Sequence, residues 1–301
     1  MNIKYKLNII IILILLSIKE INKKIKNEKI KKDSDKLNKK CYISFENENI
    51  RIIHLIITRF LTEFNDNTKE FKKLLNTNVY LLNGIRVMKK YLIPSLENQS
   101  CKDFIWILLL GNRININKIR AKLDIKISFN IKIINQKEIK NYIRNITKGF
   151  DVLITTRIDY DDIIYYDAVN DARKLININK PMVLHGYNRG FVYYELEGKF
   201  YDYYETNKNG CLAIFLSLII VLKKVKGIYT IYDIGPHTNI RTSLINKRNS
   251  FGIKNFNYEP AIFDSGGPKF VYIRQKYSHN CNFYIKKLKK ELKFNISNFF
   301  I

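Results

Sequence analysis

The most informative stretch of the sequence is Asp151-Val-Leu-Ile-Thr-Thr-Arg-Ile-Asp-Tyr-Asp-Asp162. Its first eight residues are mostly apolar and β-branched, which predicts a buried strand. Three carboxylates follow within four residues, those of Asp159, Asp161 and Asp162. In open α/β sheets, ligands bind beyond the carboxyl ends of the strands. The segment therefore predicts a buried strand that carries an acidic cluster to a ligand-binding edge.

Strand-like and helix-like stretches alternate on both sides of this segment. Further strands are predicted at 51–60, 103–111 and 129–134, and helices within 71–96 and at 116–123, 138–146 and 167–176. The helical stretch within 71–96 is expected to end near Pro94, because proline interrupts helices. Strand–helix–strand units at this spacing predict an α/β fold, with a Rossmann-like, mostly parallel sheet and flanking helices.

The pattern changes after Pro181 to that of an α+β half. Aromatic runs at 191–196 and 199–204 flank Glu197-Gly198, which predicts a hairpin. The apolar run 211–222 is too short to cross a bilayer and is predicted to be a buried helix. His54, inside an apolar strand, and His185 are interpreted as structural residues.

The composition excludes a disordered chain and disfavours nucleic acid as a partner. Hydrophobic residues make up 46% of the 301 residues, enough for a sizeable core. The net charge of +26 would suit a polyanion. However, Lys, Asn and Ile are abundant throughout the chain, as AT-rich coding would produce, and no basic patch is interleaved with aromatics.

The first 41 residues resemble a targeting segment and a linker. Lys4 and Lys6 precede the apolar run 7–18, so 1–18 is predicted to be a signal peptide or signal anchor, followed by a basic stem over 19–41. This favours the secretory pathway, with the protein luminal, membrane-anchored or secreted. The basic flank opposes translocation of the bulk of the chain, and a cytoplasmic location is the alternative.

The chain has four cysteines: Cys41, Cys101, Cys211 and Cys281. Their wide spacing, with no Cys-x-x-Cys, excludes the usual zinc frameworks. Buried free thiols and two disulfides both stay open, because the choice depends on the redox compartment.

The acidic cluster is typical of a divalent metal site. Neighbouring carboxylates raise one another's pKa unless a positive charge neutralises them. Mg²⁺ takes one or two carboxylates and completes its shell with water and substrate phosphates. If the chain stays extended, Asp159 and Asp161 point to the same side. Asp162 is a further metal candidate or a cap of the next helix, and the alternative for the whole cluster is a solvated turn.

Two blocks carry a family resemblance. His54-Leu-Ile-Ile-Thr-Arg-Phe60 together with Ile154-Thr-Thr-Arg-Ile-Asp-Tyr-Asp-Asp162 resembles the family of "putative rhamnosyltransferases", a glycosyltransferase group with an expected GT-A fold. The passages 91–100, 104–107, 235–238 and 271–280 are also similar, so the resemblance covers about 52–282. Tyr160 stands where the family usually has Asn, and Gln275 departs from a His-Gly-Asn-like passage.

The resemblance implies transfer of a sugar from a nucleotide-diphosphate donor to a hydroxyl of a glycan or another acceptor. A Mn²⁺ or Mg²⁺ ion would assist, with Asp161 as principal ligand, Asp159 near the metal or the ribose, and Asp162 and His237 as further ligand candidates. Arg59 and Arg157, each at the end of a predicted strand, are expected to bind phosphate. The alternative is that they are surface arginines closing a strand.

The resemblance also divides the folded part, 42–290, into a donor half at about 42–165 and an acceptor half at about 166–290. An inverting reaction needs a base near the acceptor hydroxyl. The candidates are Asp233, Glu259 and Asp264, without a ranking. Two other functions stay open: a catalytically inactive sugar- or nucleotide-binding module with the same fold, and, less favoured, a metal-dependent nuclease.

Overall fold

The computed structural model describes residues 42–45, 48–62, 78–112, 114–187, 189–204, 215–234, 243, 246–247, 249–252, 261–263, 269–274 and 291–292. The predicted targeting segment and stem, 1–18 and 19–41, lie outside these residues. Within the described ranges, no helix has the length and apolar character needed to cross a membrane.

The described residues form a main sheet of eight strands, of which six run in one direction. The two strands that run the opposite way are β1, which pairs with β2, and β10, which lies between β5 and β7. The order is β11-β7-β10-β5-β2-β3-β4. The strands are β1 (Tyr42–Phe45), β2 (Glu48–Phe60), β3 (Ile105–Leu110), β4 (Asn130–Asn135), β5 (Val152–Arg157), β7 (Met182–Tyr187), β10 (Ser217–Val221) and β11 (Ala261–Phe263).

A second sheet of five strands has the order β13-β9-β8-β12-β6 among the described residues. Its members are β6 (Asp162–Ile164), β8 (Arg189–Tyr194), β9 (Lys199–Tyr204), β12 (Phe270–Arg274) and β13 (Glu291–Leu292). Strands β8 and β9 are antiparallel and joined by a turn in which Gly198 has φ +67°, a conformation that favours glycine. The predicted aromatic hairpin is therefore confirmed.

Helices flank the main sheet. They are α1 (Asn78–Val87), α2 (Ile93–Glu97), α3 (Ile116–Leu123), α4 (Ile139–Ile146), α5 (Ala168–Lys174) and α6 (Ile231–Ile234). A π-helical turn at Met88–Leu92 joins α1 to α2, and short 3₁₀ turns occupy Gln136–Glu138 and Leu222–Lys224. The four strands predicted before residue 160 and the helices predicted at 116–123, 138–146 and 167–176 are all confirmed, with α3 matching its predicted range.

The helical stretch was expected to end near Pro94. It continues to Glu97 instead. Pro94 lies in the first turn of α2, where a missing backbone N–H breaks no required bond. The preceding π turn, in which the Ile93 N–H donates to the Met88 carbonyl, shifts the hydrogen-bond register and lets the helix restart.

The buried helix predicted at 211–222 is wrong over the described part of that run. Ser217–Val221 is strand β10, antiparallel to both of its neighbours and buried throughout. A continuous apolar run has no helical or strand periodicity to decide between the two structures. The β-branched residues Ile219, Ile220 and Val221 favour the strand, in which both faces pack against apolar layers.

The two histidines interpreted as structural are buried in the main sheet, each 1% exposed. His54 Nε2 is hydrogen-bonded to Thr156 Oγ1 at 2.7 Å, and Thr156 Oγ1 lies 2.6 Å from Ser217 Oγ. Burial, with contributions from Arg173 and His185, lowers the pKa of His54 well below its usual range. His54 is therefore a neutral, hydrogen-bonded core residue, as predicted.

Only Cys101 of the four cysteines is among the described residues. It is a half-buried free thiol.

Candidate functional site

Two arginines meet at the carboxyl edge of the main sheet. Arg157 ends β5 and pairs in register with Ile57 of the parallel strand β2. Arg59 lies two residues beyond Ile57 and therefore on the same face of β2. The guanidinium carbons of Arg59 and Arg157 lie 4.4 Å and 5.6 Å from the ring centre of Tyr232. Two cations from neighbouring strands thus share one aromatic ring.

Tyr232 is held firmly by the sheet. Its hydroxyl donates to the Ile57 carbonyl at 3.1 Å. The first residue of α6, Ile231, donates its N–H to Thr155 Oγ1 of β5 at 2.9 Å. Burial raises the pKa of Tyr232 to about 12, although Arg157 and Arg59 oppose the shift. Sequence patterns gave no sign of Tyr232, because its contacts join positions that are far apart in the chain.

Asp159 forms an ion pair with Arg157 at the mouth of this cluster. The Arg157 Nη2 atom lies 3.2 Å from Asp159 Oδ2 and 3.3 Å from Oδ1. The side chain of Arg157 is 11% exposed and that of Asp159 is 42% exposed. Burial alone would lower the pKa of Arg157, but Asp159 and Tyr232 outweigh it and raise that pKa. Burial lowers the pKa of Arg59, against the opposing effect of Tyr232.

The acidic cluster forms a turn and is not extended, so alternation along a strand does not place Asp159 and Asp161 on one side. The Asp162 N–H donates to the Asp159 carbonyl at 3.3 Å, which closes a four-residue turn. Asp159 and Asp161 remain partly exposed. The side chain of Asp162 is buried at 2% exposure, in the first residue of β6. Asp162 does not cap the next helix, because the N-cap of α5 is Asp167.

Tyr160, the central residue of the Asp-x-Asp, turns toward the interior. Its ring packs edge-on against Phe60 with 5.3 Å between ring centres, and its hydroxyl lies 3.3 Å from that of Tyr80 in α1. Burial, with Asp161 and Tyr80, raises the pKa of Tyr160 well above its usual range. The ring of Phe60 in turn lies against Gly84 of α1, where a Cβ would come within 2.4 Å of it.

A cleft of about 380 Å³ opens beside the two arginines, between the sheet edge, α4 and α6. Its apolar lining is Ile57, Leu109, Ile139, Ile143 and Ile228, and its polar lining is Arg59, Gln136, Lys137, Lys140, Thr230, Tyr232 and Asp233. Three cations and one carboxylate line the cleft, which suits an anionic ligand with an apolar part.

The other candidates are placed as follows. Asp233 lies in α6, where its Oδ2 accepts from the N–H and the hydroxyl of Thr230, both at 2.9 Å. His237, Glu259 and Asp264 lie outside the described residues. In the parts of the chain that the structure describes, no three His, Cys, Asp or Glu side chains gather closely enough to hold a metal ion.

Residues 51–243, more than half of the chain, match the family described as "Putative rhamnosyl transferase". The chain belongs to this family. It is therefore a member of a glycosyltransferase family. The α/β fold class predicted from the sequence, with a mostly parallel sheet and flanking helices, is confirmed.

Two solved structures show low similarity to the chain. The chain is similar to S. aureus TarS 1-349 in complex with UDP-GlcNAc, at 11% identity and a TM-score of 0.40, covering 77% of this chain and 62% of that one. It is also similar to HddC from Yersinia pseudotuberculosis, at 12% identity and a TM-score of 0.31, covering 74% and 90%. The chain thus spans less than two thirds of the TarS structure. No curated protein matches it.

Proposed function

We propose that the chain transfers a sugar from a nucleoside-diphosphate donor to a hydroxyl acceptor, and that Arg59 and Arg157 bind the donor's diphosphate. One observation carries this proposal: two arginines converge on Tyr232 at the carboxyl edge of β2 and β5, directly beside the acidic turn. Planar guanidinium groups match pairs of phosphate oxygens. The same two groups would stabilise the negative charge that develops on the leaving nucleoside diphosphate.

The adjoining cleft supports a place for the donor's nucleoside. Ligand sites in proteins are mostly apolar clefts of about 300–1,000 Å³ with a few polar groups, and this cleft has about 380 Å³. Arg59 and Tyr232 belong both to the cleft and to the arginine cluster. A nucleoside in the cleft would therefore have its phosphates within reach of the arginines.

The acidic turn fits a Mn²⁺ or Mg²⁺ ion through its two partly exposed carboxylates, Asp159 and Asp161. Mg²⁺ commonly takes one or two carboxylates and fills its shell with water and phosphate oxygens. Such an ion, when bound, supplies Lewis-acid stabilisation of the diphosphate. Asp162 is less suited, because its side chain is buried in β6. His237 stays a proposed further ligand.

The base that would activate the acceptor hydroxyl is proposed among Asp233, Glu259 and Asp264. The Asp233 carboxylate already accepts two hydrogen bonds from Thr230 at the start of α6, which favours a structural role. Glu259 and Asp264 therefore rank above it as proposed bases. Rhamnose is proposed as the transferred sugar because of the description of the family. Secretory targeting is proposed because of the predicted segment 1–18.

A thermal-shift series tests the donor site. Saturating UDP, GDP or dTDP with Mn²⁺ is expected to raise the Tm by about 5 °C for the correct base at roughly 100 times Kd. Asp161→Asn is expected to remove the metal-dependent part of this shift without lowering the Tm of the free protein. Asp124→Asn, which removes the same charge from an exposed turn after α3, is the control.

Two results would count against the proposal. If none of the three nucleotides gives metal-dependent stabilisation, the donor site is wrong. If the shift persists in the Asp161→Asn variant, Asp161 is not a metal ligand. Binding without turnover would instead favour the inactive binding module.

A further inference from the structure

We propose that Tyr160, paired with Tyr80 of α1, is a positioning residue that sets the orientation of the acidic turn toward the donor's diphosphate. This inference rests on the proposed function. It assigns a role to the residue between the two candidate ligands, whose side chain points away from them into the protein.

The acidic turn is attached to the fold at both ends and in the middle. At its start, Asp159 pairs with Arg157 at 3.2 Å. At its end, Asp162 enters β6 and pairs in register with Tyr272 of β12. Between them, the Tyr160 ring packs on Phe60 and its hydroxyl meets that of Tyr80. Tyr160 therefore attaches the middle of the turn, between the ion pair and the sheet, to the core.

The hydroxyl pair connects the turn to helix α1. Tyr80 belongs to α1. This helix packs closely on Phe60, since a Cβ added to Gly84 would clash with the Phe60 ring. Phe60 directly follows Arg59 in β2, so the same contacts locate the turn relative to a proposed phosphate ligand. A metal site needs its ligands held within about 0.5 Å of their working positions by surrounding side chains.

The competing explanation is that Tyr160 only fills space in the core. The two explanations differ in what the hydroxyl does. Tyr160→Phe keeps the ring and its packing on Phe60 but removes the bond to Tyr80, and Tyr80→Phe removes the same bond from the other side. If the pair positions the turn, both variants should impair donor binding, and their double variant should be little worse than either one.

The experiment measures the Tm of the free protein and the Kd of a nucleoside diphosphate with Mn²⁺ for the wild-type chain and the three variants. Each single variant is expected to raise the Kd about tenfold, as the loss of a side chain that orients a metal ligand does. The Tm should fall by about 3 °C, because the lost intramolecular bond contributes about 1 kcal/mol to folding. Tyr91→Phe is the matched control. It removes a hydroxyl of the same helical stretch that donates to Glu195 at 2.9 Å and not to the acidic turn, and it should leave the Kd unchanged.

Each other outcome overturns the inference. An unchanged Kd in Tyr160→Phe, with or without a lower Tm, would make Tyr160 a packing residue. Fully additive effects of the two substitutions would show that the hydroxyls do not act together. If the wild-type chain binds no nucleoside diphosphate with Mn²⁺, the proposed function fails and this inference with it. Normal wild-type binding alongside unaffected variants rejects only the positioning role.

Discussion

Arg157→Met is expected to weaken the binding of the nucleoside diphosphate about a hundredfold. The substitution keeps the length of the side chain and removes the guanidinium. Each charge-assisted hydrogen bond to phosphate contributes about 1.5–3 kcal/mol, so losing two amounts to at least a hundredfold. The Arg157 side chain is 11% exposed and lies against Tyr232. Its charge is therefore screened less than it would be in water. Arg157→Lys keeps the charge without the planar fork and should recover part of the affinity.

The matched control for this variant is Arg51→Met. Arg51 also belongs to β2 and also pairs with an aspartate, since its Nε lies 3.4 Å from Asp151 Oδ2. That pair lies at the opposite, amino-terminal edge of the parallel strands. Titration calorimetry should therefore show normal nucleotide affinity for Arg51→Met. Equal affinities of the two variants would place the diphosphate somewhere other than at Arg157.

Phe60→Ala is expected to lower the free energy of unfolding by about 3–5 kcal/mol, as truncation of a buried aromatic residue usually does. The Phe60 side chain is fully buried. It packs on Tyr160 and on the backbone of Gly84, so truncation leaves a cavity where β2, α1 and the acidic turn meet. Local collapse cannot easily fill this space, because a strand and a helix border it.

Denaturant unfolding followed by the fluorescence of Trp106 measures this effect. Trp106 is the only tryptophan of the chain, is fully buried and donates its Nε1–H to Thr58 at 2.9 Å. Leu196→Ala is the control, because Leu196 is 73% exposed and its loss should change stability by less than about 0.5 kcal/mol. A cost below about 1 kcal/mol for Phe60→Ala would contradict the packing described for this junction.

The sequence predicted the strands β2, β3, β4 and β5 well because they are apolar and contain many β-branched residues. Runs such as 51–60 and 151–158 match β2 and β5 closely. Buried parallel strands have little choice of composition, since both faces must be covered by other elements. The same property explains the wrong prediction at 211–222. A longer apolar run suits a helix and a strand equally well, and here the pairing with β5 and β7 makes it a strand.

The candidate site was predictable only in part. Arg59 and Arg157 could be placed at strand ends from the pattern, and parallel pairing then brings those ends together. A turn at Asp159–Asp162 was one of two alternatives that the sequence left open, because a single hydrogen bond and the pairing of β6 with β12 determine it. Tyr232 was missed for a similar reason. Its contacts with both arginines depend on the packing of α6, a four-residue helix without periodicity.

Release of nucleoside diphosphate from a panel of UDP-, GDP- and dTDP-sugars shows whether the chain is a glycosyltransferase. The reaction is run with and without Mn²⁺ or Mg²⁺ and with candidate hydroxyl acceptors, including simple glycosides. We expect metal-stimulated release from at least one donor by the wild-type chain, release that Arg157→Met reduces about a hundredfold and Arg51→Met leaves intact. If no donor is cleaved under any condition, the chain is not the glycosyltransferase proposed. If Arg157→Met releases product at the wild-type rate, the diphosphate does not bind at Arg157.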